Sequence, residues 1–176
     1  MPPHALVHRT ASLGLAAFLS IAGAGAPAAA GPREEAMAVL ERWVQAFGAS
    51  DVDAITKLYA PDALFMGTGS RTVVTEPAGV RQYFEQALLT QRPRSARVLE
   101  STAMVVSDTV VVVNGLDVTY ATRDGNTIEN PGRFTFVVAR RPEGWRIVHF
   151  HRSTMPGGGA GRTGRAAGAG STGPGR

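Results

Sequence analysis

The run Gly144-Trp145-Arg146-Ile147-Val148-His149-Phe150-His151-Arg152-Ser153 decides how the rest of this chain is read. Rich in β-branched and aromatic residues, opened by glycine and followed by Thr154-Met155-Pro156, it predicts a β-strand. Successive side chains of a strand point to opposite faces. Strict alternation therefore groups His149 and His151 with Trp145, Ile147 and Ser153, and sets Arg146, Val148, Phe150 and Arg152 on the other face. Neither set is purely apolar. We expect the histidine face to turn inward, because Trp145 and Ile147 suit a covered side. The alternative is that both histidines are satisfied by cross-strand partners or exposed where two copies meet.

Upstream, Arg94 to Val106, Thr109 to Thr122 and Glu129 to Arg140 read as further strands. They are separated by Ser107-Asp108 and Asp124-Gly125-Asn126, and Arg141-Pro142-Glu143 leads into the last run. Asn114-Gly115 comes too early for a hairpin and reads as a bulge that bends the sheet. Before Pro93 the spacing becomes helical. Met37, Leu40, Trp43 or Val44, and Phe47 line one face of a helix that stops at Gly48, a residue suited to a left-handed cap. Ser50-x-x-Asp53 reads as a capping box for a shorter helix carrying Ile55, Leu58 and Tyr59, closed by Pro61. Ala63 to Met66 is a short strand, Gly67 to Ser70 a turn, and Pro77 opens a third helix with the stripe Val80, Tyr83, Phe84, Ala87 and Leu88. This order predicts an α+β fold, three N-terminal helices packed on a curved antiparallel sheet with a conical pocket between them.

Both ends differ from this middle. His8 and Arg9, the apolar stretch Ala11 to Ala22 and the small residues up to Ala30 read as a secretory signal, residues 1–30, too short and too rich in Ala and Gly for a stable membrane anchor. We expect a secreted or periplasmic protein. Residues 156–176, Gly- and Ala-rich with Arg162, Arg165 and Arg176, cannot bury enough apolar surface to order themselves and are expected to be disordered. The domain is then 34–155. Without cysteine it has no disulfide and rests on its core. The pI near 10.3 reflects arginines at the two ends, whereas every Asp and Glu lies between Glu34 and Glu143. The middle is close to neutral, and nucleic-acid binding is not expected.

Helix–helix–strand–helix–meander, with Tyr59-Ala60-Pro61-Asp62-Ala63 leading into the first strand and the closing Trp145 to Ser153 run, resembles the nuclear transport factor 2-like superfamily in its SnoaL-like branch. The last run is also similar to the final strand of the association (hub) domain of calcium/calmodulin-dependent protein kinase II. That resemblance implies homodimers or larger homo-oligomers and a small-molecule pocket. The animal hub faces its pocket with two arginines and a histidine, at positions held here by Leu116, Phe136 and Val80, so its ligand preference does not carry over. Superfamily isomerases and cyclases use pocket carboxylates, and some relatives carry an oxidoreductase assignment.

The residues themselves offer Tyr59, Tyr83 and Tyr120 as phenolic donors, Arg133 as a planar fork for an anion, and His149 and His151 as proton carriers near neutral pH. Each has a structural reading beside the functional one: core packing for the tyrosines, pairing with Asp117 or Glu129 for Arg133. His-x-His lacks an identifiable third ligand, so no metal is expected. No cofactor is expected either: there is no nucleophile elbow, phosphate loop or dinucleotide fingerprint. Three functions stand: a self-associating binding module, a small acid–base isomerase or cyclase using a pocket histidine, and an accessory subunit of another exported protein.

Overall fold

A computed structural model describes residues 30–90, 92–156 and 162–163. The expected signal lies almost wholly outside these residues, as does most of the expected tail. The helices are α1 (Pro32–Ala49), α2 (Val52–Thr56) and α3 (Pro77–Leu89). The strands are β1 (Tyr59–Met66), β2 (Arg94–Ser107), β3 (Val110–Arg123), β4 (Asn126–Arg141), β5 (Gly144–Thr154) and β6 (Arg162–Thr163).

Pro32 and Pro77 open α1 and α3, where a missing N–H removes no helical bond. Two boundaries differ from the sequence reading. α1 runs past Gly48 to Ala49, and Ser50 takes the left-handed conformation (φ 53°), giving its N–H to the Phe47 carbonyl at 3.1 Å. Ser50 is thereby used up, and Asp51 caps α2 instead, its carboxylate accepting the Ala54 N–H at 2.8 Å. α2 ends at Thr56, so Tyr59 opens β1 rather than closing a helix. Pro61 is tolerated inside β1 because that strand lies at the sheet edge.

Strand order is β1-β5-β4-β3-β2, with β6 against β4. β2 to β5 form the expected antiparallel meander, and β1 joins β5 in parallel. The helices cover one face, which gives the predicted α+β architecture. The expected bulge at Asn114–Gly115 is absent, since β3 pairs with β4 without a break. The irregularity lies opposite, on β2 between Val98 and Glu100. Gly115 is required all the same: a Cβ there would fall 2.3 Å from the Glu100 carbonyl oxygen and 2.5 Å from the Phe134 ring.

The core is aromatic. Trp43 of α1 stacks on Phe47 at 5.1 Å and meets Phe136 edge-on at 5.8 Å, while Phe65 of β1 stacks on Phe150 of β5 at 5.1 Å. Such pairs add about 0.5–1.5 kcal/mol each beyond the area they bury. They hold α1 and α3 against the sheet at a fixed distance, and a cavity remains at one end of the contact.

Candidate functional site

Which side chains reach that cavity depends on one residue. β4 pairs Val138 with Ile147 and Val137 with His149, so Val148 has no partner across the ladder. One extra residue resets the alternation. Trp145 and Ile147 are buried before the bulge and Phe150 and Arg152 after it, whereas His151 is exposed and His149 half-buried on the outer face. The expectation that the histidine face turns inward is thus overturned, because strict alternation assumed an unbroken strand.

The cavity, about 220 Å³, lies between α1, α3 and the sheet. One wall is aromatic: Trp43, Phe47, Tyr83, Phe84 and Phe150. The other is polar: Thr68, Arg94, Thr119, Asn130 and Arg152. Arg152 and Asp117 form a buried ion pair, 7% and 4% exposed, with Nε donating to Oδ2 at 2.9 Å and to Oδ1 at 3.1 Å. The guanidinium is held further by Nη1 donating to Thr68 Oγ1 at 2.8 Å and Nη2 donating to the Asn130 carbonyl at 2.7 Å. Burying two charges costs several kcal/mol per ion, and only such dense hydrogen bonding offsets it. Gly132 makes the arrangement possible: a Cβ there would sit 2.5 Å from Arg152 Nη2.

Arg94 places its guanidinium carbon 5.4 Å from the Phe47 ring centroid. Burial pushes its pKa down; Tyr83 opposes this and the charge of Arg152 adds to it. Burial raises the Tyr83 phenol, while backbone hydrogen bonds at Gly69 and Thr68 and the two arginines pull the other way. Two guanidinium groups, those of Arg94 and Arg152, thus line the cavity beside an aromatic wall.

Of the residues singled out in the sequence, the cavity receives only Tyr83. Tyr59 is buried in the core, its oxygen accepting the Trp43 indole N–H at 3.0 Å, and burial raises its pKa strongly. Tyr120 accepts from Arg97 Nη2 at 3.3 Å and lines a separate recess beside Pro93. Arg133 and His151 line a hollow of about 520 Å³ on the outer face of the sheet, with Glu100, Asn114, Thr135 and Ser153. Arg133 pairs with neither Asp117 nor Glu129; its Nε donates to Ser153 Oγ at 3.0 Å. His149, beside it on that face, has its pKa lowered by burial and by His151. Of the hub-aligned positions, Val80 and Phe136 pack in the core and Leu116 faces the outer hollow. Among the described residues no three His, Asp or Glu side chains converge as a metal ion would require.

Sequence reasoning missed Arg94, Arg152, Asp117 and Thr68 as a group. A signal existed: Asp117 is the one acid inside the Val-rich β3 run, and Arg152 shares the face of Phe150. What pairs them is cross-strand register, which no local pattern states.

Comparison with known proteins places the chain. Among solved structures, a candidate calcium/calmodulin-dependent protein kinase II association domain from Xanthomonas campestris is 28% identical, with TM-score 0.67 over 75% of this chain and 94% of its own. A nuclear transport factor 2-like superfamily protein from Salmonella enterica shares the fold at 21% identity, TM-score 0.63, over 78% of this chain and 96% of its own. So does a candidate scytalone dehydratase from Novosphingobium aromaticivorans, at 13% identity and TM-score 0.63 over 76% and 93%. No curated protein matches the chain. The SnoaL-like domain family matches residues 36–157, and with that match and this architecture the chain belongs to the SnoaL-like branch of the nuclear transport factor 2-like superfamily.

Proposed function

We propose that this chain is an exported, self-associating binding module that holds a small aromatic anion in the cavity between α1, α3 and the sheet. The observation that carries the binding reading is the meeting of an aromatic wall and two arginines in one cavity: Arg94 lies over Phe47, and Arg152, held by Asp117, lines the polar side. A planar guanidinium recognises a carboxylate through two parallel hydrogen bonds, and an aromatic wall takes the ring attached to it. At about 220 Å³ the space is below the roughly 300–1,000 Å³ of drug-sized pockets, which favours a single ring over a polycyclic ligand.

Titration calorimetry with benzoate and with uncharged benzamide tests this. Benzoate should bind about tenfold more tightly than benzamide, and Arg94→Gln should remove most of that difference. Equal affinities, or no binding of either at millimolar concentration, would discard the reading. The acid–base enzyme of the sequence stands less well supported, because His149 and His151 lie on the outer face rather than in the cavity.

Self-association is supported by the outer face of the sheet, where Met104 is 59% exposed and Val112 and Val137 are half-buried. Export rests on the apolar run Ala11 to Ala22 and the small residues after it. N-terminal sequencing of the protein recovered from the periplasm or medium should begin after Ala30 or Ala26; recovery of the full chain in the cytoplasm alone would remove the export part.

A further inference from the structure

The outer face of the sheet carries a pattern that specifies how two copies meet. This inference rests on the self-association proposed above and goes beyond it by naming the symmetry axis and the ion pair. The ladders align Met104, Val112 and Val137 in one row across β2, β3 and β4, then Thr102, Asn114 and Thr135, then Glu100, Leu116 and Arg133. In each row the flanking residues on β2 and β4 match in character about β3: apolar with apolar, hydroxyl with hydroxyl, carboxylate with guanidinium.

That is what a two-fold axis along β3 requires. When two faces pack with a two-fold axis lying between them, a residue on one side of the axis meets the residue from the other side of the partner. Met104 then meets Val137 of the second copy, Thr102 meets Thr135, and Glu100 meets Arg133, while Val112 and Leu116 on the axis meet themselves. Within one copy Glu100 and Arg133 stand two strand spacings apart, roughly 10 Å. Both are exposed, and neither belongs to an ion pair among the described residues. An axis along β4 is worse on every count: it sets Arg133 against its own image, and pairs Leu116 with Ser153, its mirror position across β4 in the same row.

We infer that this chain forms a two-fold dimer about β3, with Glu100 of each copy paired to Arg133 of the other. Charge reversal tests it in the full chain. By sedimentation equilibrium the parent should dimerise, Glu100→Arg and Arg133→Glu should each raise the dimer dissociation constant by at least about tenfold, and the double reversal should return it to within about threefold of the parent. A parent that stays monomeric up to 100 μM, on the order of the weakest useful assembly, overturns both the self-association reading and the pairing. A parent dimer that the double reversal does not restore overturns the pairing alone.

A second measurement does not depend on charge. The chain has no cysteine, so a short bis-maleimide should join Glu100→Cys chains to Arg133→Cys chains in a mixture and leave Arg133→Cys chains alone unjoined. Efficient self-joining of Arg133→Cys would overturn the β3 axis in favour of β4.

Discussion

Arg133 and Arg152 sit on adjacent strands one register step apart, Arg133 opposite Ser153 and Phe134 opposite Arg152, yet on opposite faces of the sheet. Arg152, on the helix side, is buried against Asp117, Thr68 and Asn130. Arg133, on the outer side, is exposed and donates to Ser153 Oγ. The same residue type is a densely bonded electrostatic fixture in one place and, among the described residues, outside any ion pair in the other. The difference teaches that a charge in this fold takes its role from what covers its face. On the helix side a guanidinium must be fully bonded to be there at all; on the outer side solvent screens the charge and no such bonding is demanded.

The largest expected effect breaks the buried member of this comparison. Arg152→Ala leaves Asp117 charged and buried without a counter-ion and should cost about 3–5 kcal/mol, whereas Arg133→Ala should stay within about 0.5 kcal/mol. Urea unfolding of the two variants reads both numbers; similar losses would mean that the faces do not differ as described. Next comes Gly132→Ala. Its methyl group would press on the Arg152 guanidinium, and overpacking of that kind costs roughly 1–3 kcal/mol. If Arg152→Ala, Gly132→Ala and the double variant show additive losses, the contact between the two positions is not what makes glycine necessary.

The smallest effect is on the outer face and concerns acid. Burial, and then the charge of His151, hold the His149 imidazole below its ordinary value of 6.5. As pH falls through and below that value, the unfolded chain takes up this proton before the folded protein does. Stability contributed by neutral His149 is therefore present above the ordinary histidine range and lost as pH falls through the lowered folded-state value. His149→Gln should flatten the fall in melting temperature between pH 7 and pH 5. Parallel curves for variant and parent would assign the acid sensitivity to other groups.

Much of this was legible beforehand. The strand runs from Arg94 onward fall within one residue of β2, β3 and β5, because local turn chemistry bounds them, whereas β4 opens at Asn126, three residues before the expected Glu129. Asp124 and Gly125 both take positive φ, 50° and 76°, as a tight hairpin requires. The stripe of α3 and the proline before it were equally plain. The candidate site was another matter. Tyr83 was named on the right face, while Tyr59 and Tyr120 found protein partners in the core and beside Arg97. The histidines changed sides through Val148, a residue with no glycine or other local mark of a bulge.

The sequence by itself determined the order of elements, the turns between them and the apolar faces of α1 and α3, since these follow from hydrophobic period and from backbone preferences acting over a few residues. Only the tertiary structure decided which face of β5 lines the cavity and that Asp117 answers Arg152. Both depend on register between strands far apart in the chain, where one unpaired residue exchanges inside for outside.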